Sequence, residues 1–193
     1  MFNQYISQRI KYAEWRWLVA GIVILLAYSF WAFNTDSPWT RALMEAGGTL
    51  PEMRPGFPAI EPGRTFSMLG EHRIDYIFWQ LLDIPYIVLN IMTFTTAIGV
   101  GLNSARLSGT VLKYAVLAPF AYGIGEAVEN SLLTAFALNA LAPEGTSALI
   151  QQFATTIKHI AALGSIALAL LSLGLGSIVA LSRRLHRQRV SSS

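Results

Sequence analysis

Apolar residues run along this chain in four long blocks, approximately Trp15 to Phe33, Tyr76 to Val100, Tyr114 to Leu138 and Thr156 to Leu181. At 1.5 Å of helical rise per residue, about 20 such residues cross the hydrocarbon core of a bilayer. The pattern predicts an all-α integral membrane four-helix bundle, a single transmembrane domain over residues 1–193 with antiparallel neighbours where the links are short. The first block follows a basic stretch, as a secretion signal would. Its apolar run is too long for one, and it ends in Trp31-Ala-Phe-Asn34 without a small-residue cleavage pattern, so a retained anchor is expected.

A polar, Pro-rich connection, residues 34–74, separates the first two blocks. Ser37-Pro38-Trp39 supplies a cap and a proline at the first helical position, which predicts a short interfacial helix from Thr40 that stops at Gly47-Gly48. Prolines 51, 55, 58 and 62 then forbid regular structure, because each removes an amide donor and biases its predecessor toward extended backbone. With Phe57, Ile60 and Phe66 spaced along it, the loop reads as a lid over the bundle; a docking surface for a partner is the competing reading. From Ser67 the chain leads without a breaker into the second span, carrying Arg73 to its rim.

The blocks are interrupted by a few ionisable residues, and these locate the function. Each charge at mid-membrane costs roughly 3 kcal/mol or more, so such residues face the bundle interior and mark sites. In the second span Trp79, Asp83, Tyr86 and Asn90 follow the steps of one helical face, with Pro85 able to kink the helix. Tyr122, Glu126, Glu129 and Asn130 share a face of the third. Lys158 heads a face of the fourth with Ala162 and Ser165, placed just inside its outer end. Helical rise puts Asp83 about 10 Å below the rim, level with Glu129 and Lys158. Three carboxylates then meet one lysine, with Arg73 lending a second positive charge from the rim, so one acid is expected to be neutral or held by a cationic ligand.

The bland reading of the same residues is an ion-pair network that fixes helix register, with Asn130 as interhelical glue and His159 as a packing residue. Gly99, Gly101, Gly123 and Gly125 read as packing or helix-end glycines. Two carboxylates three residues apart plus Asp83 offer little for a metal without a His-rich or Glu-x-x-His arrangement, so no metal is expected. No phosphate loop or nucleophile elbow occurs, and no cofactor is implied.

Composition agrees with a membrane class: 53% hydrophobic, 13% charged and mean hydropathy +0.46, against the ~25% charged residues of ordinary soluble domains. There is no cysteine, which excludes disulfides, thiolate metal sites and thiol nucleophiles. The net charge is +3, but the basic residues sit at the chain ends and in one short loop, which excludes a nucleic-acid stripe. Arg9, Lys11 and Arg16, then Arg106 and Lys113, then Arg183, Arg184, Arg187 and Arg189 all fall on one side. By the positive-inside rule both termini are cytoplasmic and the long loop is outside.

Leu69-Gly70-Glu-His-Arg73, then Tyr76, Asp83, Pro85 and Tyr86, then Glu126-x-x-Glu129-Asn130-x-x-Leu133 and a lysine opening the last span, resemble a group of small bacterial four-span membrane proteins. The likeness covers Ser67 to Leu171 and departs at Glu126, where the group has aspartate. It implies four spans, a shared polar site and an inner-membrane location, and no particular activity. A looser, architectural likeness is to sterol-isomerase-type four-span proteins, whose bundle acids face an apolar cavity.

Three functions fit these residues. In the first, Asp83, Glu126, Glu129 and Asn130 bind the polar end of a membrane lipid or amphipathic small molecule, Lys158 and Arg73 balance it, and Tyr86, Tyr122 and Trp79 line the walls. The chain would then act alone or as an accessory subunit, with a homo-oligomer or a membrane-complex partner left open. The second is acid–base catalysis on an isoprenoid or lipid, in which two acids are held in different protonation states. The third is proton-coupled transport, disfavoured by the lack of internal repeats unless the protein dimerises.

Overall fold

The computed structural model describes residues 2–34, Ser37, Thr40, Met44, Phe66, Ser67 and residues 69–191. Its helices, in chain order, are α1 (Phe2–Lys11), α2 (Trp15–Phe33), α3 (Arg73–Ala105), α4 (Ala118–Ala137) and α5 (Gly145–Ser191). Short 3-10 turns, Gly70–His72 and Val111–Leu117, lead into α3 and α4. Four stretches, built on α2 to α5, are long and apolar enough to cross a membrane. The protein is a multi-pass helical membrane protein.

The ends of these helices follow from local chemistry. Arg106 caps α3 in the left-handed region (φ 60°), and the Leu107 amide closes the turn on the Leu102 carbonyl at 2.8 Å, which satisfies carbonyls the helix leaves open. Thr110 accepts from the Leu112 amide at 3.2 Å to start the next turn, and Pro119 occupies the first turn of α4, where its missing amide costs nothing. Within α3 the helix continues through Pro85. Beside it the Tyr28 hydroxyl of α2 donates to the Leu82 carbonyl at 2.6 Å.

Three differences from the sequence reading matter. α1 was not expected; it turns Ile6 and Ile10 inward, and Asn103 donates to the Ile10 carbonyl at 2.5 Å to fasten it to the end of α3. The last helix begins at Gly145 rather than near Thr156, because Gln151 and Thr155 point into the bundle and are buried. Lys158 consequently lies about 20 Å along its helix, well below the end where the sequence placed it. The interfacial helix and the Pro-rich lid fall on residues outside those described, apart from the cap contact in which the Thr40 amide donates to Ser37 Oγ at 3.3 Å.

Small residues set the helix spacing. A Cβ on Gly101 of α3 would strike the backbone of Ser172 in α5, and one on Gly176 would lie 2.8 Å from the Gly101 carbonyl. Without a hydrophobic drive between helices in lipid, such close backbone packing is a main source of association. α3 packs against α2, α4 and α5, and α4 packs against α5. Two apolar clusters result. One gathers Ile6, Ile10, Leu18, Ile98 and Val116 near the chain termini; the other gathers Phe66, Leu69, Tyr76, Trp79, Leu133 and Phe136 near the long connection. Along α3 the polar positions lie between them.

Candidate functional site

The core of the polar layer is an ion triad contributed by α4 and α5. Glu126 and Glu129, three residues apart, project from the same face of α4 and both meet the Lys158 ammonium: Glu126 at 3.0 Å, and Glu129 in a second, closer ion pair. Glu129 is fully buried, and Glu126 and Lys158 are nearly so. The second oxygen of Glu129 accepts from Thr155 Oγ1 and, at 3.4 Å, from Gln151 Nε2. Gln151 also donates to Thr155 Oγ1 at 2.8 Å. A buried ion pair needs these extra hydrogen bonds, because Coulomb attraction alone does not repay desolvation.

Gly125 makes the approach possible. A Cβ there would sit 2.9 Å from the Lys158 Cβ, so the absence of a side chain lets the lysine stem lie against the α4 backbone. Gly123, one turn away on the α3 side, leaves room for Ile91 and Ile87. The glycines read as packing residues from the sequence do pack, and they do so around the charged groups.

Asp83 stands apart from the triad in its partners. Asn130 Nδ2 donates to its Oδ2 at 2.8 Å, while Glu126, Glu129 and Lys158 lie close enough to act on it electrostatically without an ion-pair contact. Asp83 is also only half-buried, whereas the glutamates are closed in. Tyr122 is buried and faces Glu126, Asp83 and Tyr86. Tyr86 is half-buried on the Asp83 face, and Asn90, one turn further, is buried with its amide donating to the Tyr86 carbonyl at 2.9 Å.

Six of the nine residues singled out in the sequence therefore converge: Asp83, Glu126, Glu129, Asn130, Lys158 and Tyr122. Tyr86 and Trp79 lie on the same α3 face, and both rings contact Phe33 of α2. Arg73 does not join. Its guanidinium donates to the Phe66 carbonyl at 3.0 Å and to Asn139, clipping the start of α3 to the turn after α4. Ten residues of helix separate it from Asp83, about 15 Å. His159 hydrogen-bonds the Thr155 carbonyl at 2.7 Å, a local backbone contact.

Sequence reading missed Gln151, Thr155, Gln80, Tyr28 and Phe33. Gln151, Thr155 and Lys158 follow the i, i+4, i+7 spacing of one face, a signal that was available once the helix was extended to Gly145. No protein-family model matches the chain, and comparison with curated proteins and with solved structures finds no match either.

Proposed function

We propose that this chain is a membrane-embedded binding protein that takes an amphipathic molecule with a cationic polar end, held at Asp83 on the flank of α3 between α2 and α4. The observation that carries the reading is the difference between the acids. Glu126 and Glu129 share a lysine, whereas Asp83 has the neutral Asn130 amide as its hydrogen-bond donor and is half-buried. An ionised carboxylate in an apolar medium without a cation is costly, and a cationic ligand removes that cost. Its alkyl part would lie along the exposed apolar side chains Ile84, Ile124 and Val128, continuous with lipid.

The chain sits in this reading in a bacterial inner membrane with both termini cytoplasmic, as a relative of the four-span group it resembles. Lys and Arg at the termini and the Arg106–Lys113 turn support that orientation. The absence of native cysteine makes it easy to check. Ser147→Cys should react with an impermeant maleimide from outside intact spheroplasts, and Ser182→Cys only after lysis; the reverse pattern would invert the topology.

Native mass spectrometry of protein extracted in a mild detergent tests the binding role. A stoichiometric cationic amphiphile is expected on the wild type and absent from Asp83→Asn, which keeps the Asn130 contact but removes the charge. Equal retention by both proteins would reject the site.

A further inference from the structure

The ring of side chains around Asp83 narrows the ligand class, an inference that rests on the binding role just proposed. From α2, Tyr28 and Phe33 lie against this flank; from α3, Trp79 and Tyr86; from α4, Tyr122. Phe33 contacts Trp79 at 4.9 Å and Tyr86 at 5.2 Å between ring centroids, both edge to face, and Tyr28 at 6.3 Å. Tyr28 and Tyr122 both lie close enough to Asp83 to sense its charge. One carboxylate is thus set among five aromatic rings from three helices.

Hydrogen-bond accounting distinguishes what such a site accepts. A primary ammonium brings three donors, each of which must find an acceptor away from water. Acceptors near Asp83 are largely committed. One carboxylate oxygen already receives the Asn130 amide, the Leu82 carbonyl receives the Tyr28 hydroxyl, the Tyr86 carbonyl receives the Asn90 amide, and the Glu126 carboxylate is held by Lys158. A fully methylated ammonium brings no donors. Its charge is satisfied by one carboxylate at van der Waals range and by the negative faces of aromatic rings, the arrangement by which quaternary ammonium groups are generally recognised.

We infer that the Asp83 site is an aromatic cage selective for amphiphiles bearing a quaternary, methylated ammonium group over those bearing a primary ammonium. The rings are held to one another by edge contacts and anchored to α2 and α3, so the walls are formed before a ligand arrives. That lowers the ordering cost of binding.

The test is a competition in native mass spectrometry, with protein in lipid nanodiscs and equimolar decyltrimethylammonium and decylammonium as probes of equal chain length. The wild type should carry the trimethyl adduct in about tenfold excess. Tyr86→Leu, which keeps bulk and removes the π face, should bring the ratio close to one while decylammonium still binds. Asp83→Asn should lose both adducts. A ratio near one, or a preference for the primary amine, in the wild type overturns the cage and leaves the cationic-amphiphile reading intact. Binding of neither probe, or equal binding of both to Asp83→Asn, overturns the two together. A Tyr86→Leu protein with unchanged selectivity also overturns the cage, provided its unfolding midpoint matches the wild type.

Discussion

Replacing Lys158 with methionine is expected to destabilise the folded bundle by about 3–5 kcal/mol, the usual loss when one partner of a buried ion pair is removed. Methionine reproduces the length of the stem and the packing against Gly125, so the loss reports the charge. Glu126 and Glu129 would be left in the interior facing one another across an apolar side chain, with Thr155 and Gln151 as the neutral donors to Glu129. Titration of the reconstituted protein from mild-detergent micelles into SDS, followed by circular dichroism, reads the difference. Adding Glu126→Gln and Glu129→Gln to the methionine variant should recover most of the stability, since amides carry no charge to compensate. A Lys158→Met protein within about 0.5 kcal/mol of the wild type would mean that the triad is not an ion-pair network at all. Thr155→Val, by contrast, removes a neutral interhelical hydrogen bond and should cost about 1 kcal/mol.

This expectation separates two tasks within the polar layer that the sequence presents as one cluster. Glu126, Glu129 and Lys158 satisfy one another, and their geometry is that of a structural register device, the bland reading weighed from the sequence. Asp83 is left over. Charge counting anticipated a surplus, but spacing alone could not say which acid carried it, because that depends on which helix pair closes most tightly. Gly125 decides it: the α4–α5 approach at Lys158 leaves the glutamates nearest to the ammonium, and Asp83 on α3 reaches Asn130 instead.

What was legible follows the same physics. The four spans were readable because an apolar medium demands long apolar runs, and the shared level of Asp83, Glu129 and Lys158 was readable because helical rise is constant. Boundaries failed where inward-facing polar residues diluted the hydrophobic signal. Gln151, Gln152, Thr155 and Thr156 read as a loop, yet Gln151 and Thr155 are buried partners of Glu129. α1 was invisible for the opposite reason: it is short and mostly polar, and its burial rests on Ile6 and Ile10, one turn apart. Arg73 was assigned to charge balance from depth alone, but a guanidinium near a helix start finds closer acceptors in the Phe66 carbonyl and Asn139. Phe33 could not be found at all. Its contact with Tyr86 depends on the register between α2 and α3, which is set at the other end by the close approach of Gly21 to Thr93.

Register between α3 and α5 is fixed in the same way at Gly101, and this gives the second large effect. Gly101→Val should destabilise the protein by about 3 kcal/mol, at the upper end of overpacking costs, because the new Cβ overlaps the carbonyl carbon and oxygen of Ser172 and the amide of Leu173. Those are backbone atoms in a continuous helix and have no rotamer by which to retreat, so α5 must move away from α3 as a body. The ion triad joins α4 to α5 and should largely survive such a movement, whereas the level of α5 relative to Asp83 should not. Gly101→Val is therefore expected to weaken binding at the Asp83 site as well as stability, although Gly101 lies a long way along α3 from it. Gly164→Ala is the control. It lies within α5 with nothing within 4 Å of the added carbon, and should stabilise by about 0.5–1 kcal/mol through helix propensity alone. If both glycine variants unfold at the same SDS fraction as the wild type, close backbone packing is not what holds α3 to α5. The shared level of the polar residues would then need another cause.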